Sequence, residues 1–207
     1  MGMNFEQLVS ERRSANNFLE GNPITKEELA NIFKQVKLAP SAFNLQHARY
    51  IVVLDAEKRK AIKAIAYGQH KVGTASAIVV VLGDKKAYEH VEKIYEGLRM
   101  LGVIKQEEYD EIVRSVLEAY ENGGEKFQEN EAIRNASLSA MLFMLAAKDQ
   151  GWDTCPMIGF DSGALKEFLQ LPQHLEPVML IAIGKEKVQS RRPRGYRKPV
   201  EEFVSFI

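Results

Sequence analysis

The apolar residues of the chain recur with a helical period in five segments. The clearest of these begins at a capping box formed by Thr25 and Glu28 and is stopped by Pro40. Within it, Leu29 and Ile32 lie on one face, which predicts a helix. The same period predicts further helices at 4–11, 56–68, 130–152 and 162–171.

Three other segments are apolar at consecutive positions, which is typical of strands buried on both faces. They are RYIVVLD at 49–55, ASAIVVVLGD at 75–84 and PVMLIAIGK at 177–185. The segment DTCPMIGFD, at 153–161, is predicted to be a loop. Because strands and helices interleave without a repeat or a linker, we expect 1–207 to form a single domain of mixed α and β class.

Residues 85–128 differ from the rest of the chain. They are highly charged, helical in period and broken at Gly102 and at Gly123 and Gly124. This pattern indicates a helical excursion outside the sheet. Its aromatic residues could wall a substrate channel or pack its helices together; they are Tyr88, Tyr95, Tyr109, Tyr120 and Phe127.

Composition narrows the class of partner. The 28 basic and 28 acidic residues cancel, so there is no overall attraction to nucleic acid or a membrane, and any anion site must be local. The single cysteine, Cys155, excludes a disulfide within the chain and suits a reducing compartment. No apolar run reaches the ~20 residues of a membrane span, and the N-terminus lacks the apolar core of a signal peptide. We therefore expect a soluble cytoplasmic protein.

Two arginine clusters lie at opposite ends of the chain. Arg12 and Arg13 precede Ser14, and a guanidinium can bind phosphate through two parallel hydrogen bonds. The second cluster could bind the same phosphate as the first, or it could be solvated surface charge. It could also be an arm that binds nucleic acid, but nothing else in the chain is basic enough to support this. It consists of Arg191, Arg192, Arg194, Arg197 and Lys198.

Side chains for acid, base or metal chemistry are sparse. The four histidines, of which His47 is the first, include no pair at metal-ligand spacing, and no nucleotide-loop or nucleophile-elbow motif is present. Cys155 has no evident activating base, so we interpret it as a buried packing residue. We therefore expect no metal and no catalytic side chain.

The loop before the first strand is rich in hydrogen-bonding groups. Ser41, Asn44 and Gln46 lie within a few residues of Pro40. They either provide turn and cap interactions or hold a ligand.

Taken in order, five stretches resemble the nitroreductase family of flavin enzymes. They are RRSANNF, APSAFNLQ, GQHKVGTASAIVVV, GWDTCPMIGFD and GYRKPVEEFV. The resemblance implies an α+β nitroreductase-like fold, with a mainly antiparallel or mixed sheet flanked by helices. It also implies an intertwined homodimer that exchanges C-terminal arms, with FMN in each of two interface clefts. NAD(P)H would be the electron donor, and hydride transfer to a nitroaromatic, quinone or related acceptor would be ping-pong.

The resemblance also suggests which residues contact FMN. Arg12, Arg13, Ser14 and Arg197 would hold its phosphate, whereas the loop at Pro40, Ser41 and Asn44 would come from the other subunit and face the isoalloxazine ring. Gln69 and Lys71 would lie near the pyrimidine edge, and Pro156, Met157, Ile158 and Gly159 along the ring. The remaining expected cofactor contacts are Asn16, Ala42 and Gln46.

Three stretches depart from the family pattern. Asn16 and Asn17 stand where several relatives have a basic residue, which implies less positive charge near the ring edge and a lower flavin potential. Ile158 stands where many relatives have an acidic residue, which leaves the choice of NADH or NADPH open. His47 and Ala48 replace a Pro-Trp pair, and we expect His47 to be an ordinary surface histidine rather than a donor behind the site. A non-catalytic flavin-binding sensor remains an alternative function. So do other flavin reactions on the same fold, such as enone reduction, dehalogenation or flavin destruction.

Overall fold

The computed structural model describes residues 3–207, which form seven α-helices and one four-stranded sheet. The helices are α1 Phe5–Glu11, α2 Lys26–Val36, α3 Ala56–Ile65, α4 His70–Thr74, α5 Val91–Met100, α6 Gln106–Asp149 and α7 Ser162–Leu169. The strands are β1 Ala48–Val53, β2 Ala77–Asp84, β3 Asp153–Met157 and β4 Leu175–Gly184. Of the helices described, none combines the length and apolar character that crossing a bilayer requires.

The predicted helix start at Thr25 is confirmed. The Thr25 side chain accepts a hydrogen bond from the Glu28 backbone N–H, and the Glu28 carboxylate accepts one from the Thr25 backbone N–H. The helix ends at Val36, before Pro40. Proline disfavours helical backbone at the residue before it, and its ring clashes with the carbonyl four residues back. The helix therefore ends four residues before Pro40.

The sheet is antiparallel throughout, in the order β1-β2-β4-β3. Its edge strand β3 corrects the prediction that 153–161 is a loop, because the first five of these residues pair with β4. The strand was not predicted because Pro156 has no backbone N–H to donate to a neighbouring strand. An edge strand tolerates proline on its outer side, where no partner strand is present. The remaining three strands lie where consecutive apolar residues predicted them.

Helices cover both faces of the sheet, which explains the uninterrupted apolar run in β2. Val79 and Val81 belong to a core shared with α2 and α6, whereas Ile78 and Val80 belong to a core shared with α3, α4 and α7. All eight residues of β2 are buried. The fold is therefore α+β, with one sheet between two layers of helices.

The predicted excursion is helical, but it is not separate from the helix predicted at 130–152, because α6 runs through both. Its breaks coincide with Gly102, at φ 69°, and Gly124, at φ 69° and ψ −177°, both of which favour glycine. The excursion has its own apolar cluster, which includes Tyr88, Tyr120 and, from outside the excursion, Leu45. A segment that looked peripheral in sequence therefore packs around a residue of the polar loop before β1.

Candidate functional site

The two arginine clusters meet beside β3. Ser14 forms a bridge with Thr154 of β3, and the Ala15 N–H donates to the Thr154 carbonyl at 3.0 Å. The C-terminal segment returns to the same place, where the Arg13 guanidinium donates to the Arg192 carbonyl at 2.9 Å. Together they line a cavity of roughly 140 Å³, formed by Arg12, Arg13, Ser14, Asn16, Glu186, Arg191, Arg192, Pro193, Arg194, Gly195 and Arg197.

This cavity carries an excess of positive charge. Burial lowers the pKa of Arg12, and the neighbouring guanidinium groups of Arg194 and Arg197 lower it further. Among the residues that line the cavity, Glu186 is the only carboxylate, and it accepts a hydrogen bond from Arg191 at 2.7 Å. A small anion such as a phosphate would relieve the remaining repulsion.

The loop that follows β3 lies near the start of α4. The Gln69 side-chain amide donates to the Gly159 carbonyl at 2.8 Å, and a Cβ added at Gly159 would lie 3.3 Å from the Gln69 nitrogen. Ile158 is 83% exposed, so its side chain is free to contact a ligand. The Met157 side chain packs in the core instead, so the backbone of Met157 is the part that can contact a ligand. Lys71 belongs to α4, two residues beyond Gln69.

The loop at Pro40 occupies a different part of the molecule. The Ala42 N–H donates to the Asn135 side chain of α6 at 2.8 Å, and the Gln46 N–H donates to the Ser41 hydroxyl at 2.9 Å. Phe43, Asn44 and Gln46 have φ values of 50°, 54° and 53°. Non-glycine residues in this region cost of order 1–3 kcal/mol each, so the loop is strained.

A second cavity, of roughly 290 Å³, lies beside this loop. The Tyr50 and Ser139 hydroxyls in its wall are 2.6 Å apart, and burial raises the pKa of Tyr50 to about 12, so Tyr50 stays neutral. Asn135 also lines it. Asn135 and Ser139 were not predicted from the sequence as site residues. The one indication of such a role was that the residues on one face of α6 are small or polar.

One chain does not bring these two groups of residues together. The loop at 40–46 precedes β1, whereas the arginines and 156–159 lie at β3, and these strands are opposite edges of the sheet. Three strand spacings separate them, about 14 Å. The loop also contacts α6, on the face of the sheet opposite to the core that contains Met157.

The prediction that His47 is an ordinary surface histidine is wrong. The residue is fully buried, and its Nε2 lies 3.0 Å from the Tyr120 hydroxyl. Burial lowers the pKa of His47 to about 4; Asp84 opposes this effect, and Arg49 adds to it. The His47 ring stacks on Tyr120, which belongs to the same apolar cluster as Leu45.

Three of the aromatic residues of the excursion pack on one another. Tyr120 stacks on Tyr88 with ring centroids 5.1 Å apart and meets Phe127 edge-on at 5.2 Å. Cys155 is buried, as predicted. Within residues 3–207, no three His, Cys, Asp or Glu side chains are grouped to hold a metal ion.

Comparison with known proteins agrees with this architecture. A family model described as "Nitroreductase family" matches residues 9–185. The chain is 59% identical over 203 residues, 98% of each chain, to the Bacillus subtilis (strain 168) protein MhqN, provisionally named an NAD(P)H nitroreductase.

Two crystal structures show the same fold. A provisionally named nitroreductase from Bacillus subtilis, ydfN, superposes with a TM-score of 0.96 at 58% identity, covering 98% of both chains. Another, from Exiguobacterium sibiricum 255-15, was solved in complex with FMN. It has a TM-score of 0.90 at 31% identity and covers 100% of this chain and 99% of its own.

Proposed function

Because the chain belongs to the nitroreductase family, we propose that it is an FMN-dependent oxidoreductase that takes electrons from NAD(P)H. Its acceptors would be nitroaromatic compounds, quinones or related electron-poor molecules. The observation that carries this proposal is the convergence of two distant arginine clusters on one cavity beside β3. The single buried cysteine suits a reducing, cytoplasmic location.

The arginine cavity fits the phosphate of FMN. Arg12, Arg13 and Arg197 offer guanidinium donors, and Ser14 is exposed next to them. A phosphate there would accept charged hydrogen bonds, which are roughly twice as strong as neutral ones. Asn16 lines the same cavity and adds a neutral amide where a basic side chain would add charge.

The loop after β3 fits the edge and face of the flavin ring. Ile158 offers an exposed apolar side chain, and Gly159 lets the backbone come close to a planar ligand. The hydrogen bond from Gln69 to Gly159 fixes this loop, and Lys71 provides a cation on the same helix. Pro156 stiffens the approach to the loop.

The loop at 40–46 would complete the site from a second copy of the chain. We propose a homodimer because the loop lies at the opposite edge of the sheet from the arginine cavity and on the other face, so that a second copy would be needed to bring it to the ring of the same ligand. Its residues at the proposed contact are Pro40, Ser41, Ala42, Asn44 and Gln46. The C-terminal segment supports this arrangement. Phe203, Phe206 and Ile207 are exposed at 66%, 93% and 123%, which suits an apolar arm laid on a partner.

Bound FMN would supply the redox chemistry, accepting hydride from NAD(P)H and passing it to an acceptor that takes the place of the oxidised nicotinamide. The chain's contribution is to bind and orient. The exposed Ile158 side chain provides an apolar wall beside the reacting face, and the backbone of 157–159 provides polar groups at its edge. No side-chain acid or base is needed for hydride transfer in this scheme.

The test is the visible spectrum and turnover of the purified protein. We expect flavin absorbance near one FMN per chain, and steady NAD(P)H oxidation when a quinone or nitroaromatic compound is added. Bound FMN without turnover would favour a non-catalytic sensor. Turnover with products of enone reduction, dehalogenation or flavin cleavage would reassign the reaction. A colourless protein that retains RNA in a salt-sensitive way would overturn the proposal.

A further inference from the structure

The loop before β1 holds a backbone conformation that its own residues do not favour. Phe43, Asn44 and Gln46 have positive φ, which is uncommon for residues other than glycine; asparagine tolerates it, so the cost falls mainly on Phe43 and Gln46. Elsewhere in residues 3–207, only Tyr67 and Gln170 are non-glycine residues with positive φ. Most of the molecule's strain of this kind is therefore concentrated in one short loop, which must be held from outside.

The excursion at 85–128 provides part of this support. Leu45, in the middle of the loop, is 1% exposed and packs inside the excursion's own apolar cluster. The Tyr95 hydroxyl, from α5, donates to the Phe43 carbonyl at 3.3 Å. The loop is thus anchored at its centre by a segment about fifty residues further along the chain.

A buried polar pair provides the support at the end of the loop. His47 and Tyr120 are 0% and 1% exposed, and the His47 Nε2 lies 3.0 Å from the Tyr120 hydroxyl. The other ring nitrogen, Nδ1, is buried and has no hydrogen-bond partner among residues 3–207. The bond to Tyr120 is therefore the one side-chain hydrogen bond of the ring among residues 3–207, and it adds to the stacking of the ring on Tyr120. Because His47 directly follows Gln46, its ring orientation constrains the exit of the strained loop.

We propose that Tyr120 is a positioning residue of the flavin site, which acts through His47 and Leu45 to fix the loop that presents Ser41 and Asn44. This inference rests on the proposed function, since it takes that loop as the part that faces FMN. Tyr120 lines neither cavity described above, so it would not touch the cofactor within its own chain. The excursion is then a support for the loop.

The chain offers a matched pair of variants for the test. Tyr120→Phe removes the hydroxyl that contacts His47 and keeps the ring. Tyr88→Phe is the control, because Tyr88 stacks on Tyr120 and its hydroxyl has, in the part of the chain that the structure describes, one hydrogen-bond partner, Gln128 at 3.5 Å.

The first measurement is hydrogen exchange of a peptide that covers the loop, in protein stripped of cofactor. The backbone amides of Ala42 and Gln46 are hydrogen-bonded in the intact loop. We expect their exchange to be about fivefold to tenfold faster in Tyr120→Phe, which corresponds to the loss of one hydrogen bond, and unchanged in Tyr88→Phe. Equal exchange in the two variants would overturn the proposal.

The second measurement is FMN binding and the midpoint potential of the bound flavin. Tyr120→Phe should weaken FMN binding by about fivefold to tenfold and shift the potential, while Tyr88→Phe should leave both unchanged. His47→Gln retains a donor near the position of Nε2 and should behave more like wild type than His47→Leu. Normal FMN binding and potential in Tyr120→Phe would overturn the flavin role, whereas a wild-type protein that binds no FMN would overturn the proposed function itself.

Discussion

The two parts of the proposed cofactor site are built on different principles. The arginine cavity rests on main-chain pairing with β3, and its arginine side chains support no core: those at 191–197 are exposed, and Arg12 and Arg13 are half-buried. The loop at 40–46 carries no charged residue, and its shape depends on buried anchors at Leu45, His47 and Asn135. Substitutions in the arginine cavity should therefore weaken cofactor binding without lowering stability, whereas substitutions that alter the loop should also disturb the fold.

The sharpest way to isolate the first part is to remove its charge. Combining Arg12→Ala with Arg197→Ala should weaken FMN binding by about 100-fold or more, because each charged hydrogen bond contributes roughly 1.5–3 kcal/mol. Fluorescence titration of the cofactor-free protein measures this. The melting temperature of that protein should stay unchanged. Arg114→Ala, on an exposed part of α6, is the control for a lost charge. Variants that purify fully loaded with FMN would show that the phosphate site is assigned wrongly.

Lowering the pH should destabilise the loop at 40–46 before it affects the arginine cavity. The pKa of His47 in the folded protein is about 4, below its ordinary value of about 6.5, so the unfolded chain takes up a proton first as the pH falls. The stability linked to His47 is complete above about pH 6.5 and is lost towards pH 4, by up to about 3 kcal/mol. Asp84 and Arg49 are the charged groups that act on His47, in opposite directions.

Urea unfolding at a series of pH values measures this loss. His47→Gln removes the titrating group and should flatten the curve between pH 6.5 and 4. A curve for His47→Gln that is as steep as that of the wild-type protein would assign the acid sensitivity to other groups.

Asn135 tests the loop's support from α6. Asn135→Ala removes the acceptor of the Ala42 N–H and a donor to Glu131, and it should lower the free energy of unfolding by about 1–3 kcal/mol. Ser137→Ala is the matched control, since the Ser137 hydroxyl donates to the carbonyl of Ile133, in its own helix. Equal losses in the two variants would mean that Asn135 has no special role in holding the loop.

The smallest effect is expected at Ile158. Because its side chain is 83% exposed, Ile158→Glu should change the free energy of unfolding by less than about 0.5 kcal/mol. It should alter the KM for NADH and for NADPH by different factors while FMN stays bound, since Ile158 lies on the proposed nicotinamide side. Identical KM values in variant and wild type would remove Ile158 from the donor site.

The sequence predicts the fold best where a pattern is local. Capping at Thr25, glycine breaks at Gly102 and Gly124, and the apolar run of β2 each follow from neighbouring residues, and the structure agrees with them. The edge strand β3 was missed because Pro156 is unfavourable for a strand unless the edge is known, and edges are set by tertiary pairing.

The candidate site shows the same limit more strongly. The motif residues near Arg12 and Ser41 could be singled out, but the supports of the loop could not, because Tyr120 and Asn135 are 73 and 93 residues from their partners. The burial of His47 was missed because a histidine next to polar residues is usually exposed. Such contacts depend on how α6 crosses the sheet, which no local pattern specifies.

The central claim is that each FMN is held by the arginine cavity of one chain and the 40–46 loop of another. It is tested most directly by the FMN content of a mixed dimer, purified through two different tags. One chain carries Arg12→Ala with Arg197→Ala, and the other carries Ser41→Ala with Asn44→Ala. A shared site predicts one intact site in each mixed dimer, hence about one FMN per two chains, while dimers of either variant alone contain almost none. A mixed dimer as empty as both parents would contradict the account, because it would place the whole site within a single chain.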